Sequence, residues 1–154
     1  ANYYLYGTRT NSSVMLNNFY TSGTDNITAF VFPFNAYFGN CIIYGNYGIA
    51  PNELEFNFYP SSTPTYTFDH CLLKLSDDFS TSNPDHYRSI IRGWQNDPRF
   101  KSLERYEFNF ELDTLSPAKD NGDFDIASQF PLDLNAKNRL TDGSPDLGAY
   151  ERFE

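Results

Sequence analysis

Three stretches of this chain can be laid over one another, and no other feature restricts its fold as much. Val14-Met15-Leu16-Asn17-Asn18-Phe19, Phe38-Gly39-Asn40-Cys41-Ile42-Ile43 and Phe68-Asp69-His70-Cys71-Leu72-Leu73 align when Leu16, Phe38 and Phe68 share a position. Asn18, Asn40 and His70 then coincide, as do Phe19, Cys41 and Cys71. The steps are 22 residues from Leu16 to Phe38 and 30 from Phe38 to Phe68. A repeat of that length with variable insertions points to a solenoid, in which each coil buries its apolar face only by stacking on the next. A β-sandwich also has short strands at similar spacing, so the repeat alone leaves both open. Tyr106 to Leu112 alternates apolar and polar strictly, and Leu54, Phe56 and Phe58 alternate with Glu55 and Asn57, the period of half-buried strands.

Composition supports a β reading. The 154 residues suffice for one domain with a buried core. The 15 Phe and 12 Tyr favour pleated strands, while 16 Asn, 9 Gly and 9 Pro supply turns. One helix is expected over about residues 84–95. Asn83-Pro84-Asp85 offers an N-cap, a first-turn Pro and an acid, and Tyr87, Ile90, Ile91 and Trp94 follow at i, i+3, i+4 and i+7. It reads as an insertion packed on the outside, with packing rather than ligand binding as the first role for Tyr87 and Trp94.

The net charge of −9 and pI near 4.5 exclude a binding mode that relies on Lys and Arg displacing counterions from nucleic acid. Attraction to an anionic membrane surface is disfavoured on the same ground. No run of about 18 apolar residues is present to cross a bilayer. Two cysteines, Cys41 and Cys71, are too few for a disulfide scaffold. Stacked on neighbouring strands they are expected as free thiols, because side chains in that arrangement sit further apart than the ~3.8 Å at Cβ that a bridge wants.

The last third carries a resemblance. Asp97-Pro98-Arg99-Phe100 precedes the alternating strand, followed by Ser116-Pro117-Ala118-Lys119-Asp120-Asn121-Gly122, Asp133-Leu134-Asn135, Arg139 and Asp146-Leu147-Gly148-Ala149-Tyr150-Glu151. This order resembles the C-terminal end of bacterial right-handed parallel β-helix proteins of the pectin-lyase-like type, and Asn40-Cys41-Ile42-Ile43-Tyr44-Gly45-Asn46 resembles their rung sequence. The likeness spans about residues 36–151. Its departures are Lys119 in place of an apolar residue and the insertion before Asp97. It implies an all-β fold: a fragment of a right-handed parallel β-helix, with rungs over 1–115, the short inserted helix, and a C-terminal cap over 116–154. Ser116-Pro117 would stop the ladder, Asp120-Asn121-Gly122 would turn the chain, and Tyr150 would plug the core end. The N-terminal coil shows no matching cap, so its edge would be covered by further N-terminal rungs or a protein partner.

The same resemblance implies a place outside the cell or at the outer surface of a Gram-negative bacterium, and a choice between two functions. One is a non-catalytic secreted or cell-surface scaffold that binds glycans or joins an outer-surface assembly. The other is the C-terminal region of a polysaccharide lyase or glycoside hydrolase. For glycans, Tyr44, Tyr47, Tyr59 and Tyr66 lie in or near turns among Asn46, Asn52 and Asn57, and Trp94 is a further aromatic candidate. For catalysis, Asp69 and His70 near Lys74, with Asp77 and Asp78, are candidate acid–base groups. A solvated face is the simpler reading, since Gly39, Asn40 and Tyr44 at the aligned positions supply no opposing group. Asp120, Asn121, Asp123 and Asp125 are oxygen-rich calcium candidates but do not follow an EF-hand spacing. His70 and His86 have no zinc spacing, and Cys41 reads as a small core hydrophobe rather than a nucleophile. No cofactor is implied, and the chain is expected to bind rather than catalyse.

Overall fold

The computed structural model describes residues 1–3, 6, 7, 9–23, 28–46 and 52–153. In chain order the strands are β1 (Val14–Asn17), β2 (Phe19–Ser22), β3 (Thr28–Val31), β4 (Asn35–Gly39), β5 (Ile42–Ile43), β6 (Leu54–Asn57), β7 (Thr65–Leu73), β8 (Tyr87–Arg92), β9 (Phe100–Ser102) and β10 (Asn109–Leu112), followed by helix α1 (Phe124–Gln129).

Strand β7 is the centre of the molecule. It pairs in parallel with β4 and β5 along one edge and with β8 along the other. Phe38 lies opposite Phe68, and Ile42 and Ile43 lie opposite Leu72 and Leu73, which is the register the aligned sequences give. Apolar burial explains that register, because a slip of one residue would turn every inward ring outward. Phe38, Phe68 and Tyr87 form a ring stack across the three strands, with centroids 4.6 and 5.9 Å apart and planes within 10°. Around it Leu16, Ile43, Leu54, Cys71, Leu73 and Leu75 close one core, and Leu72 faces a second with Tyr44, Leu112, Ala118 and Leu147.

The parallel β-helix expected from the sequence is not what forms. Among the described residues the strands make four small sheets of two to four strands, and no closed solenoid. Parallel stacking does not propagate because the chain leaves it twice. β2 and β3 fold back as an antiparallel hairpin, and after β8 the chain enters a second antiparallel pair, β9 with β10. The third aligned copy fails with it: Leu16 lies opposite Phe56, in a separate parallel pair of β1 with β6, and not at the level of Phe38. What survives of the expected class is a mostly-β fold.

The helix expected over 84–95 is a strand. Tyr87 stacks on Phe68, and Ile90 and Ile91 pair with Cys71 and Leu72 in the β8 edge of the sheet. The β-branched isoleucines suit a pleated surface, and tertiary pairing overrides a helical spacing that four residues met by coincidence. Asn83-Pro84-Asp85 does turn the chain, with the Asn83 carbonyl accepting from His86 and Tyr87 N–H and its side chain accepting from Asp85 N–H. Trp94 projects beyond the strand, 60% exposed. The helix that does form, α1, was not anticipated; Asp123 caps it by accepting from Ile126 N–H at 2.9 Å.

Candidate functional site

Strand β7 turns a corner at His70, whose φ is +48°. Asn40 (+50°) and Ser89 (+49°) occupy the matching positions on the neighbouring strands. Three non-glycine residues in the sparsely allowed left-handed region at one level make a single bend running across the sheet. With Phe38, Phe68 and Tyr87 facing inward, strand alternation turns Tyr37, Thr67, Asp69 and Arg88 outward just before that bend.

These outward groups converge. The Tyr37 hydroxyl donates to Asp69 Oδ2 at 3.1 Å, His70 Nδ1 lies 2.9 Å from Asp69 Oδ1, and Arg88 Nη1 stands 3.8 Å from Oδ2. The Tyr37 phenol is pushed up to about 12, first by its partial burial and then by the Asp69 carboxylate beside it, so it keeps its proton and remains a donor. The Asp69 carboxylate oxygen is an acceptor, and His70 Nδ1 is the ring nitrogen placed against it. The Tyr37 ring is 56% exposed beside this group.

Helix α1 walls one side. A Cβ on Gly39 would come 2.8 Å from Ile126 Cγ2 and 2.9 Å from Tyr37 Cε1, so the missing side chain is what lets the helix sit there. Asn40 fixes it by accepting from Asp123 N–H at 2.8 Å and donating to Asp123 O at 2.9 Å. A cleft of about 160 Å³ beside the helix is lined by Gly39, Asn40, Ile126, Phe130, Leu132 and Arg139.

The structure brings Asp69 and His70 together but leaves the other acid–base candidates elsewhere. The Lys74 ammonium donates to Gly45 O at 2.7 Å, and Asp77 and Asp78 lie in the exposed turn that follows, where the Ser76 hydroxyl holds the Asp78 carboxyl below its ordinary range. Tyr44 is 5% exposed, in the second core, with its hydroxyl donating to Trp94 O at 2.6 Å. Burial pushes its phenol up to about 12. It is therefore a packing residue and not the surface aromatic its turn position suggested. Tyr47 lies outside the described residues. Tyr59 is half-buried, edge-on to Phe19 at 5.6 Å. Of the calcium candidates, Asp123 caps α1 and Asp120 pairs with Lys119 at 3.5 Å, while the Asp125 carbonyl accepts from Ser128 and Gln129. Among the described residues no group of three or more His, Cys, Asp or Glu is placed to hold a metal ion.

Reading the sequence missed Tyr37 and Arg88. Their signal was the register: once Phe38 is set against Phe68, the residues beside them share the opposite face. It also missed an exposed aromatic strip on the β2–β3 hairpin, where the Tyr20 ring lies 5.0 Å from Phe30 and 5.9 Å from Phe32, each within 19° of parallel to it. No family model, curated protein or solved structure matches this chain.

Proposed function

We propose that the chain binds glycans without turning them over, on the outward face of the β4–β7–β8 sheet. The observation that carries this reading is the exposed Tyr37 ring standing beside Asp69, His70 and Arg88. The π-face of an exposed ring accepts the apolar C–H face of a pyranose. The carboxylate, ring nitrogen and guanidinium offer charge-assisted hydrogen bonds to hydroxyls. The ligand class is neutral, because a net charge of −9, with Asp69, Asp85 and Asp123 near the face, repels a polyanionic chain.

Calorimetric titration with a panel of neutral and uronate-containing oligosaccharides tests it. Tyr37→Ala lowers affinity about tenfold or more, equivalent to ~1.4 kcal/mol. Asp69→Asn weakens binding as well, and Trp94→Ala leaves it unchanged. Wild-type affinity in both Tyr37→Ala and Asp69→Asn, with the fold intact by circular dichroism, ends the reading.

One observation favours a second reading. A His whose Nδ1 is held by an Asp carboxylate is the arrangement of a general base, and on a glycan it would serve elimination or hydrolysis. The same panel, followed for unsaturated products and reducing ends, decides between them. Turnover abolished by His70→Ala replaces binding with catalysis.

A further inference from the structure

We propose that Cys41 and Cys71 are an oxidation-sensitive thiol pair that closes to an intramolecular disulfide when a low-molecular-weight disulfide is supplied, clamping the corner between β4 and β5 to β7 at the bend beneath Asp69 and His70. The register carries it. Gly39 lies opposite Asp69 and Ile42 opposite Leu72, so Cys41 and Cys71 stand directly across from one another. Neighbouring strands are about 4.8 Å apart, inside the ~4.4–6.8 Å that disulfides span between Cα atoms, so closure requires the two side chains to draw together toward ~3.8 Å at Cβ, one residue past the bend at Asn40 and His70. Both cysteines are free. Leu72 N–H donates to the Cys41 carbonyl at 2.9 Å, which fixes the two backbones at this level.

The surroundings divide the roles. Cys71 is fully buried, with Sγ 3.3 Å from both Phe38 O and Asp69 O. Cys41 is only partly buried, with Sγ 3.1 Å from Gly39 O. Cys41 is the residue that solvent reaches, and the Cys71 sulfur is closed off between Phe38 O and Asp69 O. Cys41 is therefore the attacking thiolate and Cys71 the resolving thiol. With oxidised glutathione, Cys41 sulfur attacks one glutathione sulfur, the glutathione S–S bond breaks, and glutathione thiolate leaves. Cys71 sulfur then attacks Cys41 sulfur in the mixed disulfide, and a second glutathione departs with the Cys71 proton. Two protein thiols are oxidised, and one glutathione disulfide is reduced to two thiols.

This inference is independent of the glycan reading, and it concerns groups on the inward side of the bend. The full chain is incubated under native conditions with oxidised glutathione, then alkylated in denaturant and mapped by mass spectrometry. The expected product has neither thiol alkylated, retains no glutathione, contains one cross-linked peptide joining Cys41 to Cys71, and reverts with dithiothreitol. Cys41→Ser leaves Cys71 unmodified in the folded protein under the same conditions. Stable glutathione on Cys41 of the wild type, or both thiols still alkylated once a denatured sample has fully oxidised, overturns the proposal. Glutathione on Cys71 in Cys41→Ser overturns the assignment of Cys41 as the attacking thiol.

Discussion

The sheet built on β7 and the C-terminal segment, residues 116–153, are held together by different physics. In the sheet, large apolar side chains do the work: Phe68, Cys71, Leu72 and Leu73 are all fully buried, and the ring stack runs through three strands. In the C-terminal segment the buried apolar side chains are few, Ala118, Ala127, Pro145 and Leu147. Buried carboxylates replace them. Asp146 accepts from Asp120 and Arg152 N–H, each at 2.8 Å, and Asp133 accepts from Asn135, Lys137 and Glu151 N–H, also at 2.8 Å. Glu151 accepts from Asp146 N–H at 3.1 Å and faces Arg139 Nη1 at 3.7 Å. Side-chain oxygens thus satisfy the backbone donors that ladder pairing satisfies in the sheet. The sheet should therefore respond to lost volume, and the C-terminal segment to protons.

The largest effect belongs to the sheet. Phe68→Ala removes the middle ring of the stack, and truncating a buried Phe costs about 3–5 kcal/mol. Urea unfolding should show that loss as a lower midpoint with an unchanged slope. A loss below ~1 kcal/mol would mean that the stack does not organise the core.

Protons act next. Burial, together with the Asp146 carboxylate, pushes Glu151 up from 4.5 to about 7, against the Asp146 N–H and Arg139. Between about pH 4.5 and 7 the folded protein holds a proton that the unfolded chain has released, so stability falls as pH rises through that window. Burial raises Asp146 too, and its contribution has the same sign. Asp133 runs the other way. Burial works upward there, but the N–H groups of Glu151, Lys137 and Asn135, with Arg139, outweigh it and hold the carboxyl below 3.8. Its stabilisation is present above 3.8 and is lost as pH falls through the depressed value. Thermal melts should therefore peak between these limits, and Glu151→Gln should flatten the slope above the peak. An unchanged slope in that variant would assign the pH dependence to another group.

The same division decides what the sequence made legible. Apolar spacing gave the register of 38–43 against 68–73, because a slip there would expose Phe38 and Phe68. It did not give the partner of Leu16, since many apolar residues could sit opposite it and Phe56 does. Nor did it separate strand from helix at Tyr87, Ile90 and Ile91, where one spacing serves both and the β7 edge decides. Asp69 and His70 were legible as chemistry because they are adjacent in the chain. Tyr37 and Arg88 reach them only through strand pairing. Tyr44 was misplaced because a turn position implies exposure, whereas here the turn folds against Leu72 and Leu147. In the C-terminal segment the buried acids occupy positions read as a cap, but a carboxylate buried for backbone donors is spelled the same way as a solvated one.

The smallest predicted effect lies on the seam between the two regions. Gly148 N–H donates to Asn40 O at 2.8 Å, and its own carbonyl accepts from Arg139 at 2.9 Å. It therefore ties the sheet's bend to the carboxylate cluster. Its φ is +95°, and a Cβ there would stand 2.8 Å from Ile42 Cδ1, the movable end of a side chain. Gly148→Ala should cost about 1–2 kcal/mol, mostly from the left-handed backbone, with Ile42 shifting to relieve the contact. The loss should be local. Hydrogen exchange should quicken at the Gly148, Glu151 and Asp146 amides, which report the carboxylate cluster. It should stay slow at Phe68 and Leu72, whose N–H groups donate to His86 O and Cys41 O inside the sheet. Equal acceleration in both sets would show that the two regions unfold as one unit, and the contrast between them would then describe chemistry alone and not separable stabilities.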